Sequence, residues 1–319
     1  MKNFPALLRR WTLPLAIILG ILGHSFFAQF AFLASWLLFA MLFLTFSSLR
    51  PSDLGFHPLH FMLLCVQAAG CALAWLLLSP IDEVLAQSVS LCLLIPTAAG
   101  AVPITAMLGG NVGFLTTYLF LSNIAVALGA PMLIPLMSPE HAQMPFFPAM
   151  LQVFGRVAPV MIFPLLLAWT VRLAAPKVNA AIVRLRFLSY YLWAFMILTL
   201  ISSTFDTLFS PGEKDIALEI GICAAGVAVC LALFAIGRSC GARRGLGMTA
   251  GQALGQKNLL FGMWLVFQYL DSAVLICLTA YSIFQNMFNA WQIWRWERGR
   301  EVPPAAASDL DEAEPRSNG

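Results

Sequence analysis

The chain has 319 residues, 60% of them hydrophobic and 10% charged, with 18 Lys and Arg against 15 Asp and Glu. Soluble domains carry about 25% charged residues, so that class is excluded. Apolar runs follow one another almost end to end, each about 20 residues long and able to cross about 30 Å of hydrocarbon as helix; the short alternating segments of a β-barrel do not appear. The expected fold is all-α and polytopic.

Met1 to His24 has the basic start and apolar stretch of a signal peptide. Because further spans follow, it reads as a retained first helix. Ten spans are expected, near 12–27, 30–49, 58–78, 84–108, 111–137, 148–173, 185–205, 215–237, 246–269 and 272–294. With both termini cytoplasmic at an inner membrane, Lys214 alone of the 18 Lys and Arg lies outside and Arg156 and Lys257 lie within spans. The other 15 (18 less 3) fall on the inner side, as the positive-inside rule requires. A missed helix would scramble that asymmetry from that point on. The same distribution explains the basic residues without nucleic acid as a partner; the bilayer is the expected one. Trp291, Trp294 and Trp296 with Arg298 and Arg300 read as an interfacial belt. Residues 301–319 are polar, Pro/Ala-rich and acidic, the composition of a disordered cytoplasmic tail.

Cys65, Cys71, Cys92, Cys223, Cys230 and Cys277 lie in apolar runs with no metal-ligand spacing and are expected as buried small hydrophobes. The histidines, His24, His57, His60 and His141, are scattered. No metal and no cofactor is expected.

Two spans are interrupted. In the fourth, Pro96 and Pro103 each remove an amide donor and disfavour helix at the preceding residue, with Thr97, Ala98 and Gly100 between them. In the ninth, Gly251-Gln-Ala-Leu-Gly-Gln-Lys257 places a cation at membrane depth, where it costs roughly 2.5 kcal/mol or more without a cavity or partner. Non-helical backbone at that depth must be buried in protein or line a wet cavity. Interruptions at ranks four and nine of ten imply two five-helix repeats, 1–141 and 142–300, in inverted orientation because five is odd. Gln252 and Gln256 share a face on continuous helix. Gln67, Gln285, Asn286 and Asn289 are further amides at depth; each alone reads as an interhelical hydrogen bond, and together with Lys257 they outline a polar pocket. Arg156 reads either as a counter-charge for an anion or as an arginine reaching the outer interface, there paired with Asp206.

Pro96-Thr-Ala-Ala-Gly-Ala-Val-Pro-Ile-Thr-Ala-Met-Leu-Gly-Gly-Asn111, Gln252-Ala-Leu-Gly-Gln-Lys257 and Tyr281-Ser-Ile-Phe-Gln-Asn286 together resemble the bile acid:sodium symporter family. The resemblance covers about residues 12 to 300. It implies a panel of helices one, two, six and seven against a core of the other six, with the broken helices four and nine crossing and an organic-anion cavity between panel and core. The breaks and the polar pocket, taken with the resemblance, give a candidate substrate- or ion-binding set of Gln67, Pro96, Thr97, Gly100, Thr105, Gln252, Gln256, Lys257, Asn258 and Asn286.

The departures concern sodium. The family's sodium-binding glutamate falls on Gln252, the asparagine after its glutamine on Lys257, its serine-asparagine pair on Ala101 and Val102, and its helix-five hydroxyls on Leu115 and Leu119. Gln67 and Gln256 alone retain side chains of the second site. A sodium ion about 4 Å from the ammonium would be repelled by roughly 4 kcal/mol at an effective dielectric near 20. The Lys257 ammonium is expected in the place of one sodium, as a fixed charge or as a group that exchanges a proton during transport.

The functional expectation is a secondary transporter moving an organic anion, bile-acid-like or a small carboxylate, by alternating access and without two-sodium coupling. A channel or a sensor with a transporter fold is the competing reading. An enzyme would need a metal cluster, a nucleophile with its base or paired carboxylates at depth, and the sequence offers no HExxH, serine elbow or aspartate pair.

Overall fold

The structure, a computed structural model, describes residues 14–138, 143–210 and 215–298. The expected tail at 301–319, the basic residues Lys2, Arg9 and Arg10, and the loop residues Glu140, Glu213 and Lys214 lie outside the described residues. Every regular element among the described residues is helical.

Residues 14–22 form α1, followed by His24–Phe27 (α2), a 3-10 stretch Ala28–Leu33, and Ala34–Ser48 (α3). Gly20 packs against Leu198 and Ile201, His24 reaches Asp206 and Phe209, and Phe30 lies back beside Phe195. The chain therefore reverses at Gly23, and the run from His24 to Ser48 returns along the same neighbour. This corrects the expected boundary, placed at 27–30. Gly23 allows the tight reversal because a Cβ there would press on the Phe27 ring and the Leu19 carbonyl. Asp206 thus pairs with His24 and not with Arg156.

Pro58–Leu78 (α4), Glu83–Leu94 (α5), Ala101–Met107 (α6), Val112–Met137 (α7) and Phe146–Ala174 (α8) follow. The rest are Pro176–Arg184 (α9), Leu188–Phe209 (α10), Ile216–Ala242 (α11), Gly247–Gly255 (α12), Leu259–Tyr269 (α13) and Val274–Glu297 (α14). Six stretches are long and apolar enough to span a bilayer: His24–Ser48, α4, α7, α8, α10 and α11; α5 and α13 are shorter apolar helices. The chain is a multi-pass helical membrane protein. The short amphipathic α9 between α8 and α10 was not expected from hydropathy.

Each element ends for a local reason. Asp82, Asn111 and Asp215 accept backbone amides at the starts of α5, α7 and α11. His57 and His60 form a reciprocal cap on α4. With Nδ1 accepting from the His57 amide and Nε2 donating to the Phe114 carbonyl, His60 is a satisfied core histidine.

Two packing groups emerge, joined where α7 packs along α8. In one, α2 and α3 lie on α10, and α3 runs along α8. In the other, α4 packs on α5, α11 on α12, α14 and α5, and α14 on α5. Along α11, Gly226, Gly237 and Gly241 allow backbone-to-backbone approach: a Cβ at Gly237 would overlap the Ala250 carbonyl, and one at Gly226 the Cys277 carbonyl. The cysteine expectation holds for Cys71, Cys92, Cys230 and Cys277, whereas Cys65 and Cys223 lie exposed on the outer faces of α4 and α11.

Candidate functional site: two helix breaks in antiparallel contact

Both expected interruptions are present. The first runs from Ile95 to Gly100 between α5 and α6, the second from Gln256 to Asn258 between α12 and α13. Pro96 lies inside the first break. Pro103 does not break helix, contrary to expectation: as the third residue of α6 it sits in the first turn, where a helix needs no amide donor.

The breaks meet as antiparallel extended backbone, with Thr97 opposite Lys257. The Ala98 amide donates to the Gln256 carbonyl at 2.8 Å, and the Asn258 amide to the Pro96 carbonyl at 2.8 Å. Each break thus satisfies polar groups that the other exposes, as backbone at membrane depth requires. Side chains complete the pairing. Thr97 donates its hydroxyl to the Ala253 carbonyl at 2.7 Å, and its amide donates to the Ser122 hydroxyl at 3.2 Å. The Lys257 amide donates to Gln285 Oε1 at 2.7 Å. Asn258 caps α13 by accepting the Phe261 amide.

The Lys257 side chain does not reach water. It is 1% exposed, and its Nζ donates to the carbonyls of Ile95 at 2.9 Å and Leu93 at 3.2 Å. Gln67 Nε2 donates to the neighbouring Leu94 carbonyl at 2.8 Å and to Ile95 at 3.2 Å, while Tyr118 donates to Gln67 Oε1. These are carbonyls that a helix leaves unpaired at its C-terminus, where its dipole is negative. A cation bonded to them neutralises that partial charge, and the helix end supplies the ammonium with its acceptors.

Beside the crossing runs a chain of amides. Gln252 Nε2 donates to Gln292 Oε1 (2.6 Å) and Asn289 Oδ1 (3.0 Å), and Asn289 Nδ2 donates to Gln256 Oε1 (2.6 Å). Gln256 lies beyond the end of α12, so it does not share a helix face with Gln252 as expected; the two converge through Asn289. Gln252 Oε1 is buried without a hydrogen-bond partner. Where the resemblance places a carboxylate, this chain has linked carboxamides.

The remaining expected residues divide. Gly100 sits beside the crossing, where a Cβ would come 3.8 Å from Gln256 Nε2. Thr105 is buried in α6 beside Gly110, its hydroxyl without a partner. Asn286 is not part of the crossing: its amide bonds the Ser282 carbonyl of its own helix. The α14 residues that do face the crossing are Tyr281, Gln285, Asn289 and Gln292, with Tyr281 donating to the Gly255 carbonyl at 2.7 Å. Their spacing of four, four and three was a readable helical stripe, and Asn286 lies off it.

Arg156 stands apart. Its Nη1 donates to Gln268 Oε1 at 3.4 Å and its guanidinium lies 5.7 Å from the centre of the Tyr269 ring. Gln268 lies nine residues beyond Leu259, the first residue of α13, so Arg156 meets the helix about 14 Å past the second break at 1.5 Å per residue. Neither Lys257 nor Arg156 has a carboxylate within ion-pair distance among the described residues; the ion pairs there include His24–Asp206 and Arg50–Asp53. No group of His, Cys, Asp and Glu suited to a metal occurs among the described residues.

These features define a multi-pass helical membrane protein with two interrupted helices locked together at a buried lysine. No family model and no curated protein matches the chain.

Proposed function

We propose that the protein is a secondary transporter of an organic anion, built as ten spans in two inverted five-helix repeats like the bile acid:sodium symporters. The observation that carries this reading is the pairing of two broken helices through Thr97 and Lys257. Ordinary interhelical packing does not need two unwound stretches that satisfy each other, whereas an ion- and solute-binding crossing does. The two packing groups support a panel of α1, α2, α3, α8 and α10 moving against a core of the other helices. The charges support the sign of the solute: Lys257 and Arg156 are both cations without a carboxylate partner, so the apolar interior favours an anion.

In this reading Lys257 is a tethered cation in place of a bound sodium, fixed by the carbonyls of Leu93 and Ile95. The amide chain from Gln292 to Gln256 occupies the second sodium position with neutral donors and acceptors. Coupling to two sodium ions is then excluded by charge and ligand type. Gly100 and the half-buried Ala98 and Ala99 form the accessible edge of the first break that would meet the solute, with Thr97 held beneath it by its own hydrogen bonds.

The test is uptake of a panel of radiolabelled carboxylates by reconstituted protein, with sodium and pH gradients imposed separately. Sodium-independent uptake accelerated by substrate on the far side is expected. Uptake that collapses without sodium would overturn the tethered-cation account, and flux without trans-acceleration would make the protein a channel.

A further inference from the structure

We propose that the short helix α9 and the 3-10 turn after it, Leu185–Phe187, lie in the headgroup layer of the membrane and bind an anionic phospholipid. Such a surface requires only a membrane-spanning chain and is independent of what the chain transports.

Nine residues of helix extend about 14 Å at 1.5 Å per residue, less than half of the roughly 30 Å hydrocarbon layer. The helix is therefore no span, and its residues sort into three sectors. Lys177 and Arg184, seven apart, fall within about 20° of each other around the axis, and both are exposed. Val178 and Leu185 repeat that spacing about 100° further round and are exposed apolar groups. About another 100° on, Asn179 is buried, on the side where α9 packs on α8 and α3.

Bulk water would leave Val178, Leu185, Phe187 and the neighbouring Leu173, all exposed, as an apolar patch. Hydrocarbon would strip water from Lys177 and Arg184. The headgroup layer suits both, with the apolar sector on the acyl chains and the basic sector among the phosphates. Aromatic rings mark the same level. Tyr190, Tyr191 and Trp193 cluster in the first two turns of α10, as such side chains do at membrane interfaces.

Charge selects the lipid. No Asp or Glu occurs between Glu140 and Asp206. Among the described residues, neither Lys177 nor Arg184 has an ion-pair partner. Arg172, by contrast, is engaged within the protein, where it donates to the Ser47 carbonyl at 2.6 Å near the end of α3. Two free cations beside an acyl-chain surface fit a phosphate whose negative charge is uncompensated, as in phosphatidylglycerol. The choline of phosphatidylcholine would repel them.

The experiment is binding of radiolabelled phosphatidylglycerol to the full chain in nonionic detergent, with phosphatidylcholine, inorganic phosphate and polyglutamate as competitors. The expected result is saturable binding that phosphatidylcholine displaces poorly and the two water-soluble anions do not displace. A basic residue beside an anionic surface is worth about a fivefold change, so Lys177→Gln and Arg184→Gln should each weaken binding roughly fivefold and together roughly thirtyfold. Lys177→Arg, which keeps the charge, should bind as the parent does. Val178→Ser should weaken both lipids alike, because it alters only the apolar sector. These side chains are exposed, so their replacement leaves the packing of the helices intact. Equal displacement by phosphatidylcholine, or a preference for phosphatidylglycerol undiminished in the double variant, overturns the proposal. Displacement by inorganic phosphate would make this face a phosphate-ion site, and displacement by polyglutamate a docking surface for an acidic protein; either result also defeats it.

Discussion

The two helix breaks are alike in geometry and unlike in chemistry. At the end of α12, the carbonyls of Ala253 and Gly255 are satisfied by neutral hydroxyls, from Thr97 and Tyr281. At the end of α5, the carbonyls of Leu93, Leu94 and Ile95 are held by a lysine ammonium and the Gln67 amide. Both ends carry the same half-charge of a helix dipole, yet one alone receives a full compensating charge. The pairing can therefore be symmetric in its backbone while its electrostatics are one-sided.

Two sides held by such different groups should respond unequally to substitution. The largest effect is expected from Lys257→Met, which leaves the Leu93 carbonyl unpaired and Ile95 with Gln67 alone. Hydrogen bonds to charged groups contribute about 1.5–3 kcal/mol each, so a loss of roughly 3 kcal/mol is expected, read as a fall of several degrees in the thermal unfolding midpoint in detergent. An unchanged or raised midpoint would mean that the ammonium's desolvation cancels its bonds.

Gln252→Glu should come next. It replaces the Nε2 donor to Asn289 and Gln292 with a carboxylate oxygen facing two acceptor oxygens. We expect a loss of about 2 kcal/mol in choline buffer and recovery of the midpoint in sodium, with no sodium response in the wild type. A variant indifferent to the cation would show that the amide chain does not occupy a cation position. On the α12 side, Thr97→Val and Tyr281→Phe each remove one neutral bond and should cost about 1 kcal/mol. Either of them matching Lys257→Met would erase the proposed asymmetry.

The smallest effect is expected outside the membrane spans. Hydrogen bonding and charge from Arg50 hold the exposed Asp53 carboxyl below the usual carboxylate range. A carboxyl lowered in this way favours the folded state at neutral pH and loses that contribution as pH falls through its folded value. Being fully exposed, the pair should leave the midpoint unmoved in Arg50→Gln at any pH, while NMR titration shows the Asp53 carboxyl returning upward. A measurable shift in the midpoint would mean that this loop is coupled to the helices.

Much of the crossing was legible because its signals are local. Pro96, the glycines around Gln252 and the charge of Lys257 mark interruptions whatever surrounds them, and the breaks fall where these residues stand. Pro103 misled because its effect depends on whether it lies in the first turn of a helix, which follows from where the preceding break ends. Asn286 misled because adjacent residues on a helix point about 100° apart; Gln285 next to it meets Lys257 instead. Gln292, Tyr118 and Ser122 were missed as partners, since one hydroxyl or amide in a span carries no signal until another helix faces it. The Gly23 reversal was placed several residues late because hydropathy runs unbroken across it.

The order of the residues alone established a multi-pass helical protein, interrupted in two named places, with a lysine inside one of them. Hydrophobic length, proline and charge act within a single segment, so no neighbour is needed to read them. Tertiary structure alone decided that the interruptions join each other, that the lysine meets the carbonyl end of α5, and that Arg156 lies apart from both, against Gln268 and Tyr269. Those outcomes depend on which helix ends meet in space, and distant segments are brought together only by packing.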